Sequence, residues 1–126
     1  MEVTHYCRNY EDCPYAGQPL GCGDGVYDPY DPNIVAVGPS RYAEWPCTTR
    51  LRVCAQLHET GRDANATAPG VADAGVLHEL RCISVVRQDS CPGCGPYLID
   101  LSEAAFEALG FTLEQGVGRV TLERLE

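Results

Sequence analysis

The chain has 126 residues, 18 acidic side chains against 9 basic ones, a formal charge of −9 and eight cysteines. A length of this order gives one domain with a real core that still gains from covalent cross-links, so a single unit over 1–126 is expected. The acidic balance argues against nucleic acid and anionic membrane surfaces as partners, and no apolar run approaches the roughly 20 residues of a spanning helix.

Cys7, Cys13, Cys22, Cys47, Cys54, Cys82, Cys91 and Cys94 are even in number and spread along the chain. That usage fits a disulfide framework made in an oxidising compartment better than cytosolic thiols, and the pairing stays open. Met1-Glu2-Val3 lacks the charged and apolar regions of a signal peptide and reads as a mature start behind an added Met. A secreted monomer whose signal has been removed is therefore expected, with no cofactor.

Residues 1–33 are dense in Gly, Pro, Asp, Tyr and Cys without a sustained period, which reads as looped structure pinned by cysteines, with one short strand over Val3–Tyr6. Ile34–Val37 is an apolar strand, and Arg50–Cys54 alternates polar and apolar residues as a half-buried strand should. The Gly-, Ala- and Asp-rich stretch of about 58–78 reads as a long surface connection. Its Asn65-Ala66-Thr67 matches a glycosylation acceptor, a triplet common by chance.

Leu80–Val86, Tyr97–Leu101 and Arg119–Glu123 complete the predicted strands. Between the last two lies one helix over about 102–109. Asp100 or Ser102 can cap it, Leu101, Ala105, Phe106 and Leu109 recur at helical spacing, and Gly110 can end it. One short helix among several strands implies a small, mainly β barrel.

The most informative stretch is Asp89 to Phe106, where two carboxylates flank a Cys91-Pro92-Gly93-Cys94 turn and lead into the helix. Asp100 is set among Leu98, Ile99 and Leu101, where its charge is poorly solvated, so it can hold a proton near neutrality. It is equally suited to capping the helix. Asp89 before the turn is on its chemistry alone a turn residue. Cys91-x-x-Cys94 has the spacing of a redox site, but no βαβ pattern surrounds it, and a lone pair does not make a zinc site. Stapling is the expected role, with no metal.

Asp89, Cys91, Asp100, Leu101, Ser102 and Phe106, in that order, resemble the pattern of expansin-like and rare-lipoprotein-A-like (barwin-related) double-psi β-barrels. Thr4-x-Tyr6 is similar to the first barrel strand of that group, and Leu20-Gly21-Cys22-Gly23 to its Gly-x-Cys-Gly segment. Ile34–Val37, then Pro46–Val53 with Thr48 where glycine is usual, and Gly116–Val120 continue the likeness in collinear order. The resemblance implies a six-stranded double-psi barrel that binds cell-wall polysaccharide, β-glucan or peptidoglycan, in a groove holding Thr4, Tyr6, Asp89 and Asp100.

Relatives in that group loosen walls without hydrolysis, hydrolyse glucan or cleave peptidoglycan. An inverting hydrolase needs a second carboxylate across the bond, and the resemblance places it two residues beyond Tyr6. Arg8 stands there, with Glu11 and Asp12 as substitutes in the next loop. The Ala-Ala-His of the transglycosylase pattern is Ala36-Val37-Gly38, and its Asp-Arg-Gly is Asp89-Ser90-Cys91. The expected function is thus loosening without hydrolysis. Alternatives are a lytic transglycosylase or endoglucanase using Asp100 as acid, and an inhibitor-type barrel. Tyr27, Tyr30, Tyr42 and Trp45 are candidates to stack on sugar rings, or lids over a thin core.

Overall fold

The computed structural model describes residues 1–23, 25–58 and 78–125. The expected surface connection and its Asn65 triplet lie, apart from the ends of the connection, outside the described residues. Among the described residues seven strands form one mixed sheet: β1 (Glu2–His5), β2 (Ile34–Val37), β3 (Arg50–His58), β4 (His78–Ser90), β5 (Leu98–Leu101), β6 (Val117–Arg119) and β7 (Thr121–Arg124). The order across the sheet is β6-β1-β5-β2-β4-β3-β7. Helix α1 spans Glu103–Ala108.

The described residues are mainly β with one short helix, as expected, but the ladder among them is a seven-stranded sheet that does not close and not a six-stranded barrel. The difference arises at Val120. The expected strand over Arg119–Glu123 is two strands, with β6 antiparallel to β1 and β7 antiparallel to β3. Val120 turns into the core between them, and its N–H donates to Met1 O at 3.0 Å. The two edges of the sheet are therefore consecutive in the chain. The sheet curls until they meet, joined by the backbone and not by a ladder.

β3 and β4 run further than their alternation indicated and pair over nine positions, from Arg50↔Val86 to His58↔His78. The inner face of the curled sheet carries Val3, Val35, Val37, Leu51, Val53, Val85, Ile99 and Leu101, all buried, with Phe106 and Leu109 of α1 packed against them. Fully burying a side chain of this size contributes roughly 1.5–3 kcal/mol, so this face dominates the stability.

Ser102 caps α1, accepting from Ala105 N–H through its side chain, so Asp100 is not the cap. Gly110, at φ 95°, ends the helix as expected. The N-terminal segment is the looped region foreseen. With Ile34 of β2 it forms a second, smaller apolar cluster of Cys7, Leu20 and Tyr27, with Tyr6 and Cys13 against it.

All eight cysteines are in disulfides, Cys7–Cys13, Cys22–Cys47, Cys54–Cys82 and Cys91–Cys94. The first two tie down the looped segment, where few ladder bonds do so. Gly38 packs so closely on the Cys91–Cys94 turn that a Cβ there would lie 2.2 Å from Cys94 O.

Candidate functional site

Strand register places the nominated carboxylates in one row. Thr4 pairs with Asp100 across β1 and β5, Asp100 with Ala36 across β5 and β2, and Ala36 with Asp89 across β2 and β4. Paired residues project to the same side of a sheet. Thr4, Asp100, Ala36 and Asp89 thus line up across four strands, on the side opposite the one where Val3, Ile99 and Leu101 enter the core. Two strand spacings, about 10 Å between backbones, separate the two acids.

Each acid has its own partners. Thr4 Oγ1 donates to Asp100 Oδ1 at 3.0 Å. Tyr6 OH donates to Asp89 Oδ2 at 2.8 Å, and Gly21 N–H donates to Asp89 Oδ1 at 2.6 Å. A Cβ on Gly21 would lie 2.9 Å from Asp89 Oδ1, so glycine is needed for the backbone to approach the carboxylate.

Desolvation raises Asp100 to about 6. The Thr4 hydrogen bond and the charge of His5 oppose the shift, and the charges of Glu103 and Asp89 add to it. Near pH 6 the Asp100 carboxyl therefore exchanges between a hydrogen-bond donor and a pure acceptor. Burial and then the Asp89 carboxylate push the Tyr6 phenol well above its ordinary range, so it acts as a donor throughout.

Beneath the row lies a buried polar group that sequence reasoning did not single out. Glu103, in the first turn of α1, is fully buried. Its Oε2 accepts from Cys7 N–H at 2.5 Å and faces His5 Nδ1 at 3.1 Å, and its Oε1 accepts from Tyr27 OH at 2.6 Å. His5 Nδ1 also contacts Cys7 O at 2.5 Å, and Nε2 contacts Leu113 O at 2.9 Å. Both ring nitrogens thus face backbone carbonyls, which can only accept, and Nδ1 also faces Glu103. Tyr27 stacks on Tyr6, ring centroids 4.0 Å apart, which links Glu103 to the phenol that holds Asp89. An acid in a helix's first turn ordinarily faces solvent near the dipole, so the sequence offered no signal for this role.

The aromatic candidates divide. Tyr27 and Trp45 are buried, at 2% and 5% exposure, and Trp45 borders a shallow cleft with Arg41 and Tyr97. Tyr42 is half-buried, with the Arg87 guanidinium 4.8 Å above its ring. All three rings pack against apolar or cationic groups of the fold. Tyr30 is exposed and stacks on Tyr10, whose hydroxyl bonds Glu107. Tyr15 was not foreseen. It is 51% exposed, and its ring meets the Tyr6 ring edge-on at 6.1 Å.

Beside Thr4 a polar cleft of about 780 Å³ is lined by Thr4, His5, Arg8, Asn9, Leu113, Glu114 and Gly116. Arg8 is exposed there. Glu11 and Asp12, the substitutes for a second acid, are exposed, and their N–H groups are tied to Asn9 Oδ1. Neither forms a hydrogen bond with the row.

No family model matches the sequence, and no curated protein does. Among solved structures, a Streptomyces papain inhibitor is 23% identical at a TM-score of 0.60, over 99% of this chain and 91% of that one. A Clavibacter michiganensis expansin in its apo form is 24% identical at a TM-score of 0.60 over 99% of this chain. An aspartate-to-asparagine mutant of that expansin, in complex with cellohexaose, is 23% identical at the same TM-score. The chain spans about half of the expansin's length, 48%. At these identities the likeness shows the fold, so the expansin-like resemblance seen in the motifs holds for the architecture, which this chain shares with both the expansin and the papain inhibitor.

Proposed function

We propose that the chain is a secreted, single-domain barrel that binds cell-wall polysaccharide along the Thr4–Asp100–Asp89 row and loosens it without hydrolysis. The observation that carries this reading is the convergence of the Thr4–Tyr6 segment with Asp89 and Asp100, more than 80 residues away, where Thr4 bonds Asp100 and Tyr6 bonds Asp89 on one row of the sheet. The cellohexaose complex of a protein with the same fold supports it.

Neutral Asp100 donates to a glycan oxygen and competes for the hydrogen bonds between neighbouring chains. Asp89 accepts from sugar hydroxyls, and Tyr15 offers an open ring at the edge of the row. Arg8 stands where the resemblance to the hydrolases expects the second carboxylate, which favours binding over hydrolysis.

Mass spectrometry of soluble products from peptidoglycan and β-glucans, with Asp100→Asn as control, tests this reading. The expected outcome is binding in a pull-down without Asp100-dependent products. Reducing oligosaccharides that vanish in Asp100→Asn would instead establish a hydrolase, and anhydro-sugar ends a lytic transglycosylase.

A second reading is favoured by one observation, the 91% coverage of the papain inhibitor. On this reading the exposed loops occlude a protease cleft. Titration of papain activity against the protein checks it, and unchanged activity at a large molar excess removes it.

A further inference from the structure

We infer that the polysaccharide bound by this chain is acidic, with a sugar carboxylate seated on Arg8 in the cleft beside Thr4. The inference rests on the glycan reading above and specifies its substrate class. Thr4 belongs both to the row, through Asp100, and to the cleft. A polymer lying on the row therefore continues into the cleft, whose roughly 780 Å³ is the size of a small-ligand site.

The donors in the cleft are specific. Among the described residues Arg8 makes no hydrogen bond or ion pair, either with Glu114, which also lines the cleft, or with any other group. Its planar fork is free to take a carboxylate through two parallel N–H bonds. Asn9 Oδ1 is already occupied by the N–H groups of Glu11 and Asp12, which leaves the amide NH2 as a second donor. His5 offers no third donor, because both ring nitrogens are engaged with Cys7, Glu103 and Leu113. Glu114 supplies an acceptor for sugar hydroxyls and repels a carboxylate placed next to it, so the anionic group is directed to Arg8.

The chain's charge of −9 opposes any polyanion at long range. The discrimination is therefore local, and it is best measured at physiological ionic strength, where fields beyond about 8 Å are screened.

The experiment compares matched polymers: carboxymethyl against hydroxyethyl β-1,4-glucan, and de-esterified against methyl-esterified homogalacturonan. Affinity is measured for the native chain, Arg8→Ala and Asp100→Ala. The native chain is expected to prefer the acidic member of a pair, and Arg8→Ala to lower the acid-to-neutral affinity ratio roughly three- to tenfold. Equal affinity for both members, or a preference that survives Arg8→Ala, overturns the inference. If neutral binding then still depends on Asp100, the glycan reading stands alone. Absence of binding to every polymer overturns both. Arg8 is exposed, so a melting curve suffices to show that the variant is folded.

Discussion

Thr4 donates its hydroxyl to Asp100 Oδ1 at 3.0 Å across the parallel β1–β5 pair, and this is the one hydrogen bond that opposes the desolvation of that acid. Without the donor the charged form loses its support. Thr4→Val is expected to raise the Asp100 titration above about 6. Carboxyl-resonance titration by NMR measures it, and an unchanged midpoint would refute the assignment.

The same group sets a pH dependence. Asp100 titrates near 3.8 in an ordinary setting and near 6 in the fold. The folded chain therefore holds a proton that the unfolded chain releases. The stability Asp100 contributes is full below about pH 4 and is lost as pH rises through about 6. Melting midpoints measured from pH 4 to 7 should fall, and Asp100→Asn should flatten that slope. Glycan binding should rise below about pH 6 in the native chain, and Asp100→Asn, a neutral donor at every pH, should abolish that rise.

Glu103 holds three elements together, since His5, Cys7 and Tyr27 all turn to it. Breaking a buried pair from one side costs about 3–5 kcal/mol, so Glu103→Ala should destabilise the fold by an amount in that range. Glu103→Gln keeps the volume and one acceptor. It should cost less and, by removing a negative charge that raises Asp100, shift the acid's midpoint downward. A purely structural role would leave that midpoint in place.

Thr48 sits at φ 74°, the left-handed region that β-branched residues avoid, and it is the position where the expansin-like pattern has glycine. Thr48→Gly should stabilise the protein by about 1 kcal/mol, read as a higher urea midpoint with unchanged slope. A lower midpoint would mean that a Thr48 side-chain contact outweighs the backbone strain.

Two glycines separate fold from site. Gly38→Ala drives a Cβ into the backbone of Cys94 and should prevent the Cys91 turn from docking, with loss of folded yield. Gly21→Ala meets the movable Asp89 carboxylate first. It should leave a folded protein with weakened polysaccharide binding, checked by pull-down beside a melting curve.

The sequence by itself determined the strands whose alternation is local. Ile34–Val37 is reproduced residue for residue, and α1 lies within the expected helix because its apolar spacing and Ser102 cap are contained in one short window. It also nominated Thr4, Tyr6, Asp89 and Asp100, through motif order and through the apolar neighbours of Asp100. Tertiary structure alone decided what depends on residues far apart in the chain. The split at Val120 follows from which partner strands β6 and β7 find, and periodicity carries no information about partners. Tyr27 and Trp45 are buried because distant segments cover them, and a Pro- and Gly-rich context reads as exposed when those segments are unknown. Glu103 is the extreme case. An acid is placed at 0% exposure only when donors from separate parts of the chain converge on it, and no local pattern of residues encodes that convergence.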